Sequence, residues 1–254
     1  MKLAPREHGA YGQLGFPLSA ALAVAHRGLS PWLLTASAVS FFLAHEPALV
    51  AFGRRGQSAK QQAGGRALRM LAITVVAGAA MGVTGVWLVP AAAYLGVGAA
   101  MVLGTLLAAA VVFRVEKTLP GELVAAAAMT SAGFAVALAG GLPRAAAEQH
   151  WAAWFLGFAA AVFPVRAIVV EHKQRAESPA VRIGGAVAVA VLTAVLGTAR
   201  VIEPRFAVAA APLIAAGIYV AVRPPQMKQM TRAGWLLIAA GALTAALLIG
   251  ATWA

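Results

Sequence analysis

Glutamate and histidine stand side by side at three places in this sequence. The three pairs are Glu7-His8, His45-Glu46 and Glu171-His172. Carboxylate oxygens and imidazole nitrogens exchange protons in catalysis, and both bind divalent metal ions. The candidate catalytic residues are therefore Glu46, His45, Glu171 and His172, while the identity of any metal stays open.

The second pair is the most informative, because apolar sequence lies on both sides of it. Residues 40–44 precede it and residues 47–52 follow. An ionisable side chain within a membrane span is costly and indicates a functional site. Pro47 should kink or end the helix at the same point. The plainer alternative is a structural polar pair that ties two helices together.

Arg166 also lies in apolar sequence, two residues after Pro164. A buried arginine needs a carboxylate or a phosphate as its partner, and we expect Glu46 to be that carboxylate. Several basic side chains together would also clamp an anionic head group. The candidate substrate-binding residues are Arg54, Arg55, Arg66, Lys117, Arg166 and His8. For the basic residues between 54 and 69, the alternative is a role in topology and contact with lipid head groups.

Some residue types are missing. The chain has no aspartate, asparagine or cysteine, and all eight acids are glutamates. Disulfide and thiolate chemistry are therefore excluded. Mg²⁺ prefers several oxygen ligands, so one glutamate at each candidate position is too few for a usual metal cluster. Mg²⁺ stays open as a cofactor, and the sequence identifies no other.

Membrane helices must position these residues. Of the 254 residues, 61% are hydrophobic and 11% are charged, against about 25% charged in a soluble domain. Nine apolar segments cover residues 11–26, 31–52, 67–88, 90–113, 120–142, 151–171, 181–199, 205–222 and 232–253. Most are long enough to cross about 30 Å of hydrocarbon, where a helix satisfies every backbone group. We expect one all-α transmembrane domain over residues 1–254.

The basic residues set the orientation. Sixteen of the twenty lysines and arginines lie in alternate gaps on one side, and four lie on the other. The positive-inside rule places the N-terminus in the cytoplasm and the C-terminus outside, in a bacterial inner membrane. The net charge of +12 follows the spans, which argues against nucleic acid as a partner. The longest gap on the basic side, residues 53–66, should form a short cytoplasmic helix or an ordered loop.

Residues 5–14, PREHGAYGQL, followed by Pro17-Leu18, resemble the opening of the YwiC-like family of bacterial membrane proteins. Members of that family often start with a similar His-Gly-Ala-aromatic signature. The length of the chain and the number of apolar segments also fit this family.

The layout is also similar to the UbiA superfamily of intramembrane prenyltransferases. This resemblance implies a nine-helix bundle with its site at the cytoplasmic ends of helices 2 and 6, where this chain has His45-Glu46 and residues 166–175. Residues 113–120, FRVEKTLP, resemble the stretch between helices 4 and 5 of that superfamily. UbiA enzymes hold Mg²⁺ and a prenyl diphosphate with Asp-rich motifs, and this chain has none.

Two classes of function stay open. The leading hypothesis is a UbiA-like protein that binds an isoprenoid or other lipid in a cytoplasm-facing cavity, as a divergent prenyltransferase if it is an enzyme. The alternative is a non-catalytic protein that binds lipid, quinone or haem, or helps assemble a respiratory complex. A small transporter fits less well, because the charges gather at one face and not at mid-membrane. The expected partner is a membrane lipid or isoprenoid, and the sequence does not indicate an oligomeric state.

Overall fold

The computed structural model describes residues 3, 8–26, 28–172, 179–226 and 229–253, and all regular structure in these ranges is helical. The side chains of His8 and His172 lie outside the described part. The helices are α1 (His8–Ala23), α2 (Ser30–Ala51), α3 (Gln57–Trp87), α4 (Tyr94–Val112), α5 (Leu119–Ala139), α6 (Arg144–His172), α7 (Pro179–Thr198), α8 (Pro204–Val222) and α9 (Met230–Trp253), with a 3₁₀ turn at Ala91–Ala93 before α4. Each helix contains most of one predicted apolar segment, so the helical fold class is confirmed for the described residues.

Eight of the described helices, α2 to α9, are long and apolar enough to cross a membrane. The chain is therefore a multi-pass membrane protein. Helix α1 has 16 residues, or about 24 Å at 1.5 Å per residue, which is short of a full hydrocarbon core. The prediction of nine spans is confirmed by length and hydropathy for eight of them.

Leu3 and His26 lie on either side of α1 in the sequence, and their contacts are far apart in the structure. Leu3 packs with Val50 and Ala67, close to the turn between α2 and α3. The backbone N–H of His26 donates to the carbonyl of Gly140 at 2.9 Å, where α5 ends. Since α5 runs away from the α2–α3 turn, Leu3 lies near one end of the bundle and His26 lies near the other. We call the end with the α2–α3 turn (residues 52–56) and the α4–α5 loop (residues 113–118) the basic end, and the opposite one the far end.

Helix α5 lies at the centre of the first half of the fold and packs against α1, α2, α4 and α6. Glycines permit the closest approaches. A Cβ on Gly133 would lie 2.9 Å from the carbonyl oxygen of Pro17 in α1, and one on Gly96 of α4 would lie 2.8 Å from the Cα of Ala135. Small residues at helix contacts are typical of membrane proteins, where no hydrophobic effect drives helices together.

The second half of the fold is built on α6, which packs against α7 and α8, while α9 packs against α8 and α1. Its core contains Trp154, Phe206 and Leu213, each at most 2% exposed. Helices α2 and α6 would flank the site in a UbiA-like bundle, but here α5 packs against both of them. The UbiA-like arrangement and the orientation of the termini stay predictions.

We expected residues 53–66 to form a short helix or an ordered loop of their own. Instead, these residues divide between a turn and the first part of α3. The chain turns at residues 52–56, and α3 begins at Gln57 and continues without a break to Trp87. Its 31 residues are about 46 Å long at 1.5 Å per residue. The apolar part begins near Ala67, so about 15 Å of polar helix stands beyond it at the basic end.

Helices α3 and α4 follow each other in the chain but pack against different neighbours. Helix α3 packs against α2, whereas α4 packs against α5. The buried residues of α3 are Ala67, Gly78 and Gly85, and those of α4 are Gly96 and Ala110. Most of the surface of both helices is therefore not buried by the rest of the protein, and we call the region bounded by their exposed faces the α3–α4 wedge.

Candidate functional site

Glu46 is fully buried and forms a two-pronged ion pair with Arg55. The Nη2 and Nε atoms of Arg55 donate to its two carboxylate oxygens at 2.6 Å and 3.0 Å. The Glu46 side chain is 0% exposed, while that of Arg55 is 26% exposed. A paired arginine with this planar geometry is what a buried carboxylate requires.

The local fold brings these two residues together across the α2–α3 turn. Helix α2 continues past Pro47 to Ala51, and the chain then reverses within five residues. Gly53 and Gly56 have φ angles of +73° and +97°, which residues other than glycine rarely adopt. The reversal returns Arg55 to the last two turns of α2, where Glu46 is held.

Arg54, the neighbour of Arg55, points to a different helix. Its Nη2 donates to the carbonyl of Val112 at 2.7 Å. Val112 is the last residue of α4, whose final carbonyls have no partner within the helix. Arg54 therefore joins the α2–α3 turn to the end of α4 and closes the α3–α4 wedge at the basic end.

Arg166 of α6 forms a second polar cluster. Its Nη1 donates to the carbonyl of Lys117 and lies 3.3 Å from a carboxylate oxygen of Glu122. The expected pair between Arg166 and Glu46 is therefore wrong. Helix α5 packs against both α2 and α6, and its first-turn glutamate reaches Arg166 instead. The structure does bring Arg166 and Lys117 together, through the Lys117 backbone.

The two clusters flank one loop. Val112, which accepts from Arg54, and Lys117, which accepts from Arg166, are five positions apart in the chain, at the two sides of the α4–α5 loop. A fully extended chain of this length spans at most about 18 Å, and this loop is folded into turns. The loop therefore keeps both clusters at the basic end, within reach of a single amphipathic ligand.

A buried polar atom lies next to the second cluster, in the α4–α5 loop. One carboxylate oxygen of Glu116 is buried and has no hydrogen-bond partner among the described residues. A buried polar atom without a partner is expensive, and such atoms are often completed by a ligand or a water. Neither Glu116 nor Glu122 was among the predicted site residues.

The remaining predicted site residues do not join these clusters through described contacts. Glu171 is 68% exposed and lies 3.7 Å from Arg182 at the start of α7. His45 is half-buried, and Arg66 is exposed on the polar extension of α3. The predicted roles of His8 and His172 depend on side chains that lie outside the described residues. Haem binding through paired histidines therefore stays a prediction.

The described histidine and glutamate side chains do not gather into a metal-binding cluster. Among the described residues, no three histidine, aspartate or glutamate side chains converge on one point. Each oxygen of Glu46 already accepts a hydrogen bond from Arg55, which makes Glu46 a poor metal ligand. The usual Mg²⁺–diphosphate arrangement of UbiA enzymes has no counterpart in this part of the chain.

His150 is a buried polar residue that was not among the predicted site residues. It is 3% exposed, and its Nε2 lies 2.8 Å from the hydroxyl of Thr252 and 3.3 Å from the carbonyl of Leu248. These contacts tie α6 to α9 at the far end. The partners lie about 100 residues away in the chain, so no local pattern could have revealed them.

Comparison with known proteins identifies a family and nothing more specific. Residues 4–137, from before α1 to the last turn of α5, match the model of the YwiC-like protein family. No curated protein and no solved structure matches the chain. The match covers more than half of the sequence and includes both Glu46 and Arg55, together with the opening motif. This chain therefore belongs to the YwiC-like protein family.

Proposed function

We propose that the protein binds an isoprenoid or other membrane lipid with an anionic head group at its basic end. The head group lies beside the α4–α5 loop, and the tail lies in the α3–α4 wedge. The observation that carries the proposal is the buried Glu46–Arg55 ion pair. It fixes the α2–α3 turn, which in turn directs Arg54 towards the end of α4.

The charge balance at this end favours an anion. The α2–α3 turn, the start of α3, the α4–α5 loop and Arg166 together carry eight basic side chains. The glutamates among them are Glu46, Glu116 and Glu122. Five positive charges are therefore left in excess. Arginine suits phosphate because its planar group donates two parallel hydrogen bonds.

The α3–α4 wedge suits an apolar tail. Both helices expose large apolar residues, including Ile73 and Val76 on α3 and Met101 and Leu106 on α4. An apolar surface that faces the hydrocarbon lets a lipid bind without leaving the membrane. At the basic end its floor is the hydrogen bond between Arg54 and Val112.

We favour binding without prenyl transfer. The described residues lack the carboxylate clusters that hold Mg²⁺ and diphosphate in the UbiA superfamily, and Glu46 is occupied by Arg55. A UbiA-like topology remains part of the proposal, supported by the nine α-helices in the described ranges and by the polar clusters at the basic end.

Native mass spectrometry of the protein, purified in mild detergent, tests the proposal. We expect an anionic lipid to stay bound to the wild type, and its occupancy to fall at least about tenfold in Arg54→Gln/Lys117→Gln, as the loss of two phosphate contacts predicts. Arg200→Gln/Arg205→Gln, with the same charge change at the far end, is the control. Equal occupancy in all three proteins would refute the site.

A second arm addresses catalysis. The wild type is incubated with farnesyl diphosphate, Mg²⁺ and the lipid it retains. We expect no prenylated product. A product whose formation depends on Glu46 or Arg166 would replace the binding proposal by an enzymatic one.

A further inference from the structure

A separate cavity lies at the basic end of the other half of the fold. It occupies about 560 Å³ between the end of α8 and the start of α9. Two arginines, Arg223 and Arg232, line it together with Tyr219, Val220, Pro224 and Leu236. It lies outside the residues that match the family model, on helices that do not build the α3–α4 wedge.

Among the described residues, the two arginines of this cavity have no acidic partner. Arg55, Arg166 and Arg182 each face a glutamate. In contrast, the structure shows no ion pair or side-chain hydrogen bond for Arg223 or Arg232 within its described ranges, and none of the described glutamates lines the cavity. Two like charges that converge on one concavity repel each other unless an anion lies between them.

The start of α9 adds to the positive potential. Arg232 is the third residue of that helix, where the helix dipole is positive and the first backbone N–H groups have no partner within the helix. A basic residue is unfavourable at this position, and an acid is preferred. A bound phosphate would offset both the dipole and the two guanidinium groups.

The walls of the cavity become apolar with distance from the arginines. Tyr219 lies one turn before Arg223 on α8 and is 53% exposed, and Leu236 lies one turn after Arg232 on α9 and is 37% exposed. Trp235 is 66% exposed beside it. Tyrosine and tryptophan are typical of the membrane–water interface. The cavity therefore has charge at head-group depth and an apolar wall towards the hydrocarbon.

We propose that this cavity binds the phosphate group of an anionic membrane phospholipid through Arg223 and Arg232, with an acyl chain along Tyr219 and Leu236. The order of charge and apolar surface favours a phospholipid over free phosphate. The site is independent of the proposed function, because the two sites share no residue.

Lipid titration followed by native mass spectrometry tests this site. The probes are phosphatidylglycerol, phosphatidylcholine and inorganic phosphate, each added to delipidated protein in detergent. We expect phosphatidylglycerol to bind in preference to phosphatidylcholine. In Arg223→Gln/Arg232→Gln the affinity of one phosphatidylglycerol should fall about 30-fold, as two basic contacts near the surface predict.

Two controls isolate the result. Arg200→Gln/Arg205→Gln makes the same charge change at the far end and should bind phosphatidylglycerol like the wild type. Arg54→Gln/Lys117→Gln should leave this lipid in place, so failure at either site is recognised separately. Unchanged phosphatidylglycerol affinity in Arg223→Gln/Arg232→Gln would overturn the proposal. The proposal would also be overturned if the two arginines bound inorganic phosphate while the protein showed no preference between phosphatidylglycerol and phosphatidylcholine.

Discussion

Glu46 is the most constrained ionisable residue that the structure describes. Its carboxylate is fully buried, and both oxygens accept from Arg55. Removing a carboxylate from water costs several kcal/mol, and an arginine recovers this only with good geometry. Replacing one partner of such a buried ion pair therefore lowers the stability of the protein more than replacing both partners does.

The first prediction concerns this pair. Glu46→Gln should destabilise the protein by about 2–4 kcal/mol, because a partly buried Arg55 would lose the charged carboxylate that accepts from its Nε and Nη2. Arg55 is 26% exposed, which places the effect below that of a fully buried partner. Thermal unfolding in detergent measures the change.

The double variant Glu46→Gln/Arg55→Gln serves as the control for that measurement. It should recover part of the lost stability, since neither residue is then an unpaired charge. If the two single losses simply added, the ion pair would not be the cause.

At this scale, sequence identified the residue but not its partner. Apolar sequence around Glu46 marked it as exceptional, and the structure places it in an ion pair. The partner was predicted to be Arg166, because both lie near the same end of predicted helices. The actual partner, Arg55, depends on the glycine-permitted reversal at residues 52–56, whose path is not encoded in hydropathy. Arg166 forms an ion pair with Glu122 instead.

At the scale of elements, the helices approach each other through glycines. Gly217 of α8 lies against the backbone of α6, and a Cβ there would be 2.8 Å from the carbonyl oxygen of Ala160. Backbone does not move aside as a flexible side chain does. The close packing of α6 and α8 therefore requires glycine at this position, because any other residue would add a Cβ.

Gly217→Ala should lower stability by about 1–3 kcal/mol, because α6 and α8 must separate to admit the methyl group. The matched control is Gly98→Ala on α4, where a Cβ would have no atom within 4 Å. That change should be neutral or slightly stabilising, because alanine favours the helix by about 1 kcal/mol over glycine. Unfolding midpoints of the two variants test the contrast, and equal midpoints would contradict it.

Helix positions were predictable because each apolar run has the length of a membrane crossing. The ends of the helices were harder to predict from the sequence. We expected a separate short helix or loop over residues 53–66, yet α3 begins at Gln57 and continues through Gly64 and Gly65. An intrinsic cost of about 1 kcal/mol per glycine does not interrupt a helix that packs along α2. Which helices are neighbours was not accessible from hydropathy, because every apolar face can pack against any other.

For the whole molecule, the open question is the number and direction of crossings. Helix α1 is short, yet contacts place residues 3 and 26 at opposite ends of the bundle. Nine crossings put the two termini on opposite sides of the membrane. Eight would put them on the same side.

Single-cysteine labelling tests this topology cleanly, because the chain has no cysteine of its own. We expect a membrane-impermeant maleimide to label Ala145→Cys and Trp253→Cys in intact cells, since both positions lie at the far end. Ser58→Cys at the basic end should react only after the membrane is opened.

An N-terminal epitope tag completes the topology experiment. It should resist external protease in intact cells, as expected for nine crossings. Cleavage of the tag together with labelling of Trp253→Cys would mean that α1 does not cross the membrane. Labelling of Ser58→Cys in intact cells would reverse the orientation.

The α3–α4 wedge has a consequence for the conditions under which this fold is compact. Only 11% of the apolar stretch of each of these helices is buried inside the protein, so the surrounding acyl chains supply much of their packing. Hydrophobic thickness and lateral pressure, which differ between bilayers, then set how far the two helices diverge. In this respect the lipid composition of the host membrane is as much a determinant of conformation as any side chain.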